Sequence, residues 1–265
     1  MAQKIRLDTL IAERGLAESR AQAQRLVMAG QVRVDGQVEL KPAAQVKPEA
    51  SVSIDRGPRF VSRGGEKLEA ALAAFGCRVS GLVCADVGAS TGGFTDCLLQ
   101  HGAAKVYAID VGYGILHWKL RSDPRVISME RTNARYVETL PEPVSFVSAD
   151  ASFISLKLLL PVIRGWFAAG VGEAVVLIKP QFEAGKSEVD RGQGVIQDVR
   201  VHREVLENTL RAAQESGYGV KGLVRSPLKG PKGNTEFLAW LSYPAGEPVD
   251  TASMIAGVLP ELEDH

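Results

Sequence analysis

The stretch GLVCADVGASTGGFTDCLLQHGAAKVYAIDVG, residues 81–112, holds a strand pattern, a glycine-rich turn, a helix pattern and a second strand pattern. The same alternation continues toward the carboxyl end of the chain. Further strands are predicted at 124–130, 143–150, 173–179, 218–226 and 235–243, and further helices at 156–167 and 198–216. Alternating strands and helices are typical of a mostly parallel sheet with helices on both faces. The sequence therefore predicts an α/β fold for the larger part of the chain.

A smaller α+β domain is predicted in residues 1–58. Two helix patterns, within 5–17 and 20–30, precede the hairpin pattern QVRVDGQV at 31–38, and Ser19 is the predicted N-cap of the second helix. Residues 1–63 contain eleven Lys and Arg against seven Asp and Glu, whereas the whole chain has 31 of each. That small excess of positive charge fits a polyanionic partner and fits an ordinary solvated surface equally well.

The composition disfavours several classes of site and location. Cys77, Cys84 and Cys97 show no C-x-x-C spacing, and the four histidines show no metal-ligand spacing. We therefore expect neither a disulfide framework nor a metal site. The first residues lack the apolar run of a signal peptide, and no stretch approaches about 18 consecutive apolar residues. The sequence predicts a cytoplasmic protein without a membrane partner.

The glycine-rich turn DVGASTGGF, residues 86–94, predicts a ligand site after the first strand. Position 90 is Ser rather than the Gly of a dinucleotide fingerprint, and position 94 is Phe rather than the Lys of a phosphate-binding loop. Asp110 ends the second strand, where a carboxylate can accept hydrogen bonds from ribose hydroxyls. These features favour S-adenosylmethionine over NAD, with Asp86 meeting the methionine end. The alternative is a tight strand–helix turn that needs glycine for its own geometry, with Asp86 as a strand-end cap.

Charged residues follow or precede the later strands at equivalent places. In VVLIKPQFEAGK, residues 175–186, an apolar strand runs directly into Lys179. Asp150 ends the preceding strand and Glu236 begins the last one, and Lys67 lies in a helix just before the α/β region. Neighbouring strands would bring these tips together, where opposite charges keep one another ionised despite burial. Each of them also fits an ordinary strand-end salt bridge.

Seven motifs together resemble the TlyA family of rRNA 2′-O-ribose methyltransferases, which are related to the FtsJ group and were historically labelled hemolysin A. They are SRGGEKL, DVGASTGGFTDCLL, DVGYGILHWKLRSDPRV, ERTNAR, ADASFISL, LIKPQFEAGK and SPLKGPKGNTEFL. The N-terminal module resembles the RNA-binding domain first seen in ribosomal protein S-four. The resemblance spans about residues 5–243. It implies a Rossmann-like methyltransferase sheet at 63–245 and a linker at 59–62. The sequence pattern itself predicts a loose acidic tail at 246–265.

The resemblance also implies roles for particular residues. A catalytic tetrad falls on Lys67, Asp150, Lys179 and Glu236, with Lys179 acting either as general base or as electrostatic stabiliser at the 2′-oxygen. With Asp86, the residues expected to bind the cofactor are Gly88, Ser90, Gly92, Gly93, Phe94, Asp110 and Asn133. The residues expected to bind RNA phosphates are Arg6, Arg20, Arg25 and Arg33. The implied substrate is a cytidine of large-subunit rRNA, with small-subunit rRNA as a further possibility.

Two other functions remain open from the sequence. A membrane-lytic protein would need an exposed apolar or strongly amphipathic basic segment, and the apolar pattern at 156–167 is better explained as a helix that covers the sheet. A non-catalytic RNA-binding assembly factor with the same fold would not need all four tetrad residue types. The oligomeric state is left undetermined by the sequence.

Overall fold

The computed structural model describes residues 4–55, 57–185, 188 and 192–260. The chain divides into two compact units, Met1–Arg59 and Phe60–His265.

The N-terminal unit combines two helices with short antiparallel strands. The helices are α1 (Leu7–Glu13) and α2 (Arg20–Met28). The strands are β1 (Ile5–Arg6), β2 (Val32–Val34), β3 (Gln37–Val38), β4 (Gln45–Val46) and β5 (Val52–Ile54). β1 pairs with β4, while β2 pairs with both β3 and β5. An apolar core formed by both helices and β2 holds the unit together; its buried residues are Leu7, Ile11, Ala17, Ala23, Val27 and Val32.

The predicted helix cap and the predicted hairpin turn of this unit are both present in the structure. The side chain of Ser19 caps α2 by accepting a hydrogen bond from the backbone nitrogen of Gln22. Asp35 and Gly36 join β2 to β3 with φ angles of 49° and 84°, which is the left-handed geometry that a two-residue hairpin turn requires.

The second unit is built on a seven-stranded sheet. Its strands are β6 (Val83–Val87), β7 (Lys105–Ile109), β8 (Val126–Met129), β9 (Phe146–Ala149), β10 (Gly172–Ile178), β11 (Gly219–Arg225) and β12 (Phe237–Tyr243). Their order across the sheet is β11-β12-β10-β9-β6-β7-β8. The five strands from β6 to β10 run parallel, and β12 runs antiparallel to both of its neighbours. The predicted mostly parallel sheet is confirmed.

Helices cover both faces of this sheet. They are α3 (Gly64–Phe75), α4 (Gly93–Gln100), α5 (Trp118–Arg121), α6 (Leu156–Ile163), α7 (Pro180–Glu183), α8 (Val199–Glu215) and α9 (Thr251–Val258). Alternate residues of β10 enter two separate apolar cores: Val176 and Ile178 pack with α6 and α8, whereas Val175 and Leu177 pack with α3 and α4. This burial on both faces explains why the strand reads as a continuous apolar run. No helix in the described part of the chain has both the length and the apolarity needed to cross a membrane.

The predicted linker at 59–62 is largely part of the second unit. Phe60 is 3% exposed and packs in the core formed with α3 and α4. The backbone nitrogen of Val61 donates to Asp96 Oδ2 at 2.8 Å. A Cβ atom at Gly65 would lie 2.3 Å from the Phe60 ring, so the close approach of this segment to α3 requires glycine.

The prediction of a loose acidic tail at 246–265 is wrong for the part that the structure describes, up to residue 260. Asp250 caps α9 by accepting from the backbone nitrogen of Ser253. Ile255 is 1% exposed, and Leu259 is also buried against the core that contains α8 and β11. The apolar residues recur at helical spacing and bury one face of α9. Residues 261–265, which carry the acidic character, lie outside the described residues.

Candidate active site

Strand pairing brings the predicted charged residues to one edge of the sheet. Ile178 pairs with Phe237 in the antiparallel ladder of β10 and β12. Lys179, the residue after Ile178, therefore lies beside Glu236, the residue before Phe237. β9 runs parallel to β10, so its carboxyl end delivers Asp150 to the same edge. The antiparallel direction of β12 is what allows the start of a strand to meet the ends of its parallel neighbours.

The four predicted tetrad residues form two ion pairs. Lys179 Nζ lies 2.6 Å from Asp150 Oδ1, and Lys67 Nζ donates to Glu236 Oε2 at 2.5 Å. Lys179 Nζ also donates to Ser152 Oγ at 2.9 Å. Both lysines are 8% exposed and Glu236 is 1% exposed, so these charges are largely withdrawn from water and depend on their partners.

All four tetrad residues line one cavity of about 530 Å³, which we call the tetrad cavity. Its wall includes two phenylalanines that the sequence reasoning missed, Phe153 and Phe182, whose ring centroids lie 4.9 Å apart. Phe153 is 90% exposed and has a φ of 62°, a left-handed conformation that bulky residues rarely adopt. Each ring follows a charged strand tip by three residues, after Asp150 and after Lys179. That repeated spacing is the signal that could have identified them.

The glycine-rich turn joins β6 to α4 in close contact with other segments. Gly88 has a φ of 80°, and a Cβ atom there would lie 2.7 Å from the carbonyl oxygen of Asp150. Gly92 has a φ of 97° and a Cβ atom there would lie 2.1 Å from the Leu120 side chain, and a Cβ atom at Gly93 would lie 2.8 Å from the backbone nitrogen of Gly65. Packing within the chain therefore requires all three glycines, as the tight-turn alternative predicts.

Asp110 is held in a fixed orientation beside this turn. Its Oδ2 accepts from the backbone nitrogen of Ser90 at 2.8 Å, and its Oδ1 accepts from that of Gly112 at 2.7 Å. It lines a cavity of about 270 Å³, here called the Asp110 cavity, together with Asn133 and Ile115. Each carboxylate oxygen keeps acceptor capacity for a ligand, since it has used one hydrogen bond of the two or so that it can accept.

A third cavity of about 240 Å³, here called the loop cavity, lies along the glycine-rich turn. Its lining includes Gly88, Ser90, Gly93 and Phe94, whereas Gly92 is not part of it. Asp150 lines all three cavities. The predicted cofactor residues other than Asp86 and Gly92 are thus brought to two cavities that adjoin the tetrad cavity at Asp150.

The prediction that Asp86 meets a ligand is not supported by its placement. Asp86 is fully buried within β6 and lines none of the three cavities. It accepts hydrogen bonds from Thr95 Oγ1 at 2.7 Å and from Ser148 Oγ at 3.1 Å. Burial raises the pKa of Asp86 to about 7, although both hydroxyl groups act in the opposite direction. These two hydrogen bonds connect β6 to α4 through Thr95 and to β9 through Ser148. The role of Asp86 is therefore structural, as in the alternative in which it caps the end of the strand.

The structure also places the four arginines that are predicted to bind RNA. Arg6 and Arg20 converge on Asp8 in the N-terminal unit. Arg25 is exposed in the last turn of α2, and Arg33 is exposed on β2. Within the ranges that the structure describes, no three His, Cys, Asp or Glu side chains are grouped so that they could hold a metal ion.

Two family models match the chain. The FtsJ-like methyltransferase model matches residues 60–243, and the S4 domain model matches residues 5–52. A Mycobacterium tuberculosis protein named 16S/23S rRNA (cytidine-2′-O)-methyltransferase TlyA is 47% identical over 245 residues, which are 91% of this chain and 91% of that protein. The chain belongs to the TlyA family of FtsJ-like methyltransferases. The family predicted from the seven motifs is confirmed.

Two further similarities show the breadth of the TlyA family. Hemolysin A of Brachyspira hyodysenteriae is 41% identical over 245 residues, which are 89% of this chain and 98% of that protein. The solved structure of a candidate hemolysin from Streptococcus thermophilus is 43% identical, with a TM-score of 0.71, and the match covers 97% of this chain and 96% of that one. The name hemolysin and the name methyltransferase therefore occur among similar proteins of one family.

Proposed function

We propose that this TlyA-family chain transfers a methyl group from S-adenosylmethionine to the ribose 2′-hydroxyl of a cytidine in ribosomal RNA. The observation that carries the proposal is the pair of buried lysine–carboxylate contacts on the wall of the tetrad cavity, where that cavity meets the Asp110 cavity. The Mycobacterium tuberculosis relative is named as a methyltransferase of 16S and 23S rRNA, which supports both small-subunit and large-subunit rRNA as substrates. An rRNA substrate in turn implies a cytoplasmic protein.

The Asp110 cavity fits the adenosine part of S-adenosylmethionine. Its wall is largely apolar, with Val111, Ile115 and Leu159, and it offers Asp110 for ribose hydroxyls and Asn133 for a base edge. The loop cavity, which shares Gly88 and Ser90 with it, would hold the methionine part. When bound, S-adenosylmethionine supplies a methyl group activated by a sulfonium charge. Neither cavity needs phosphate-binding features for this ligand.

The tetrad would orient the acceptor ribose and stabilise its developing charge. Lys179 is the side chain proposed to contact the 2′-oxygen, and holding the reacting atoms in line contributes as much as ~7–11 kcal/mol in well-oriented systems. The contacts of Lys179 Nζ with Asp150 and Ser152 fix its position on the cavity wall. There it would either stabilise the negative charge that develops on the 2′-oxygen while the hydroxyl proton passes to water, or accept that proton itself as a neutral amine. Asp150 would position Lys179, and the Lys67–Glu236 pair would support the adjoining wall.

The two phenylalanine rings would hold the target base. A ribose inside an RNA helix cannot enter a cavity of this kind, so the target nucleotide has to turn out of its helix. An exposed ring such as Phe153 offers a stacking surface, and base–aromatic stacking contributes about 1–3 kcal/mol per base. Phe182 would support that ring from the side of Lys179, whose Nζ lies 5.6 Å from the Phe182 ring centroid.

The N-terminal unit would supply affinity for RNA that is largely independent of sequence. Arginine contacts to phosphates fix the register of a protein on RNA and weaken as the salt concentration rises. Deletion of residues 1–58 should therefore preserve binding of S-adenosylmethionine and abolish rRNA modification. Full activity of the shortened chain on ribosomal subunits would contradict this role.

The decisive experiment measures transfer of labelled methyl groups from S-adenosylmethionine to purified ribosomal subunits and maps the 2′-O-methylated nucleotide. No incorporation by the wild-type chain into either subunit would favour the non-catalytic assembly factor. Leakage of liposomes with pure protein tests the lytic alternative separately. Modified cytidines, in one or both subunits, that disappear with the Lys179→Ala variant would establish the proposed reaction.

A further inference from the structure

A fully buried carboxylate lies beneath two arginines in the N-terminal unit. Asp8 is 0% exposed, although it belongs to the first turn of α1 in a domain of fewer than 60 residues. Arg6 approaches it in a two-point contact, with Nε 3.0 Å from Oδ1 and Nη2 2.8 Å from Oδ2. Arg20 Nε and Gln24 Nε2 donate to Oδ2 at 3.1 Å and 2.8 Å. Three side chains from β1 and α2 thus converge on a single acid.

Asp8 stays ionised because its partners outweigh its burial. The hydrogen bonds from Arg6 hold the pKa of Asp8 far below its usual range, with further contributions in the same direction from Gln24 and Arg20, while desolvation acts in the opposite direction. One negative charge is therefore fixed between two positive charges. The ionised Asp8 and the two guanidinium groups together carry a net charge of +1.

Both arginines remain partly open to solvent while they bind Asp8. The Arg6 side chain is 39% exposed and the Arg20 side chain is 53% exposed. Arg20 uses only Nε toward Asp8, so its two terminal nitrogens are not used in this contact. A guanidinium carries five N–H donors in a rigid fork, which matches the oxygens of a phosphate group. Asp8 therefore fixes the position of both guanidinium groups, while the N–H donors that do not contact Asp8 can bind a phosphate group.

We propose that Asp8 is a positioning residue that holds Arg6 and Arg20 together as one preorganised site for a phosphate group of RNA. The inference rests on the proposed function, in which the N-terminal unit binds rRNA. Arg25 and Arg33, which are exposed elsewhere on the unit, contribute long-range attraction without such a fixed geometry. Asp8 itself does not touch the RNA and acts through the two arginines.

The test uses Asp8→Asn in the full chain, with 23S rRNA as the probe. Removal of a negative charge near a polyanion strengthens binding if charge alone matters. Loss of preorganisation weakens binding instead, because the two arginine side chains must then be immobilised when the RNA binds. The affinity for 23S rRNA should therefore fall about 5- to 100-fold. The slope of log affinity against log salt should also become shallower by about the equivalent of one phosphate contact. Unchanged or tighter binding by Asp8→Asn overturns the proposal.

Asp35→Asn is the matched control, because it removes the same charge at an exposed turn of the same unit. Asn tolerates the left-handed conformation at this position and can keep the hydrogen bond that Asp35 Oδ1 accepts from the backbone nitrogen of Ser51. Its affinity for 23S rRNA should be equal to that of the wild type or slightly higher. A loss equal to that of Asp8→Asn would contradict a specific role for Asp8.

A double-mutant cycle separates positioning from a general effect on folding. In the Arg6→Ala/Arg20→Ala background, Asp8→Asn should cause no further loss of affinity, because the groups that it positions are gone. An equal further loss in that background would show a merely structural role and overturn the proposal. If Asp8→Asn does not fold, Arg20→Lys serves instead, because lysine keeps the positive charge but lacks the planar guanidinium group. Arg20→Lys should lose more affinity for 23S rRNA than the control Arg25→Lys. An equal or smaller loss overturns the proposal.

Failure of the inference and failure of the proposed function give different results. Absence of rRNA binding and methylation by the wild-type chain would remove the proposed function. Loss of affinity in Arg6→Ala/Arg20→Ala together with normal affinity in Asp8→Asn would leave that function standing and remove only the role of Asp8.

Discussion

Replacing Lys67 by Met is expected to destabilise the second unit through the carboxylate that it leaves behind. Lys67 Nζ lies 2.5 Å from Glu236 Oε2, and the two side chains are 11% and 1% exposed. Met retains most of the apolar stem of lysine, so the main change is the loss of the ammonium group. Glu236 would keep the amide of Gln181 at 3.5 Å as a weak neighbour for its other oxygen.

The expected magnitude follows from the burial of Glu236. Breaking a buried ion pair by removing one partner costs about 3–5 kcal/mol, because the remaining charge is uncompensated. For a unit of about 200 residues, each kcal/mol lowers Tm by roughly 2–4 °C, so Lys67→Met should lower it by roughly 6–20 °C. The double variant Lys67→Met/Glu236→Gln discharges the carboxyl and should recover at least half of that loss.

Differential scanning calorimetry of the wild type, Lys67→Met, Glu236→Gln and the double variant measures the coupling energy between the two side chains. A fall in Tm of less than about 3 °C, or a double variant less stable than Lys67→Met, would show that the pair is not a coupled buried interaction. All three variants should be inactive in methyl transfer if the tetrad works as proposed.

Three other predictions concern the cavities and the buried acid beneath the turn. Lys179→Ala should abolish methyl transfer and leave the affinity for S-adenosylmethionine unchanged by calorimetry; normal turnover would refute its assigned role. Asp110→Ala should weaken that affinity about tenfold or more, because a charge-assisted hydrogen bond is lost, and an unchanged affinity would count against the ribose contact. Asp86 has a pKa of about 7 in the folded chain and about 4 when unfolded, so the stability that it gives the folded chain is full below about pH 4 and is lost as pH rises to about 7. Asp86→Asn should therefore be more stable than the wild type at pH 8, with the difference shrinking toward pH 5 in urea titrations; a constant difference would show that Asp86 does not titrate in this range.

The strand tips were predictable because strand order follows from simple rules. Alternating patterns indicate parallel strands, and parallel strands present their carboxyl ends at one edge, which identifies Asp150 and Lys179 from spacing alone. In the structure Lys179 Nζ lies 2.6 Å from Asp150 Oδ1, so these two strand tips do meet. The antiparallel entry of β12, which places Glu236 beside them, could not be read from periodicity.

Other features depend on tertiary contacts that a sequence pattern does not encode. The alternation in β6 shows that Asp86 shares a face with its second neighbours, but not that α4 and Ser148 cover that face. Arg6 and Arg20 are 14 positions apart, and only the packing of α1 against α2 reveals that they share Asp8. The helix α9 could not be predicted from the composition of residues 246–265, because the acidic residues after the helix outweigh its few buried apolar residues in the average over twenty positions.

The Lys67–Glu236 contact joins residues that are 169 positions apart in the chain. Such a contact can form only after most of the polypeptide has been made. The last strand, β12, has to enter the sheet between β10 and β11 before Glu236, the residue that precedes it, can reach α3. A nascent chain that still lacks residue 236 can fold its N-terminal unit, which is made of local contacts, well before it has a complete tetrad. RNA affinity would therefore arise early in synthesis, and methyl transfer would be among the last properties that the growing chain acquires.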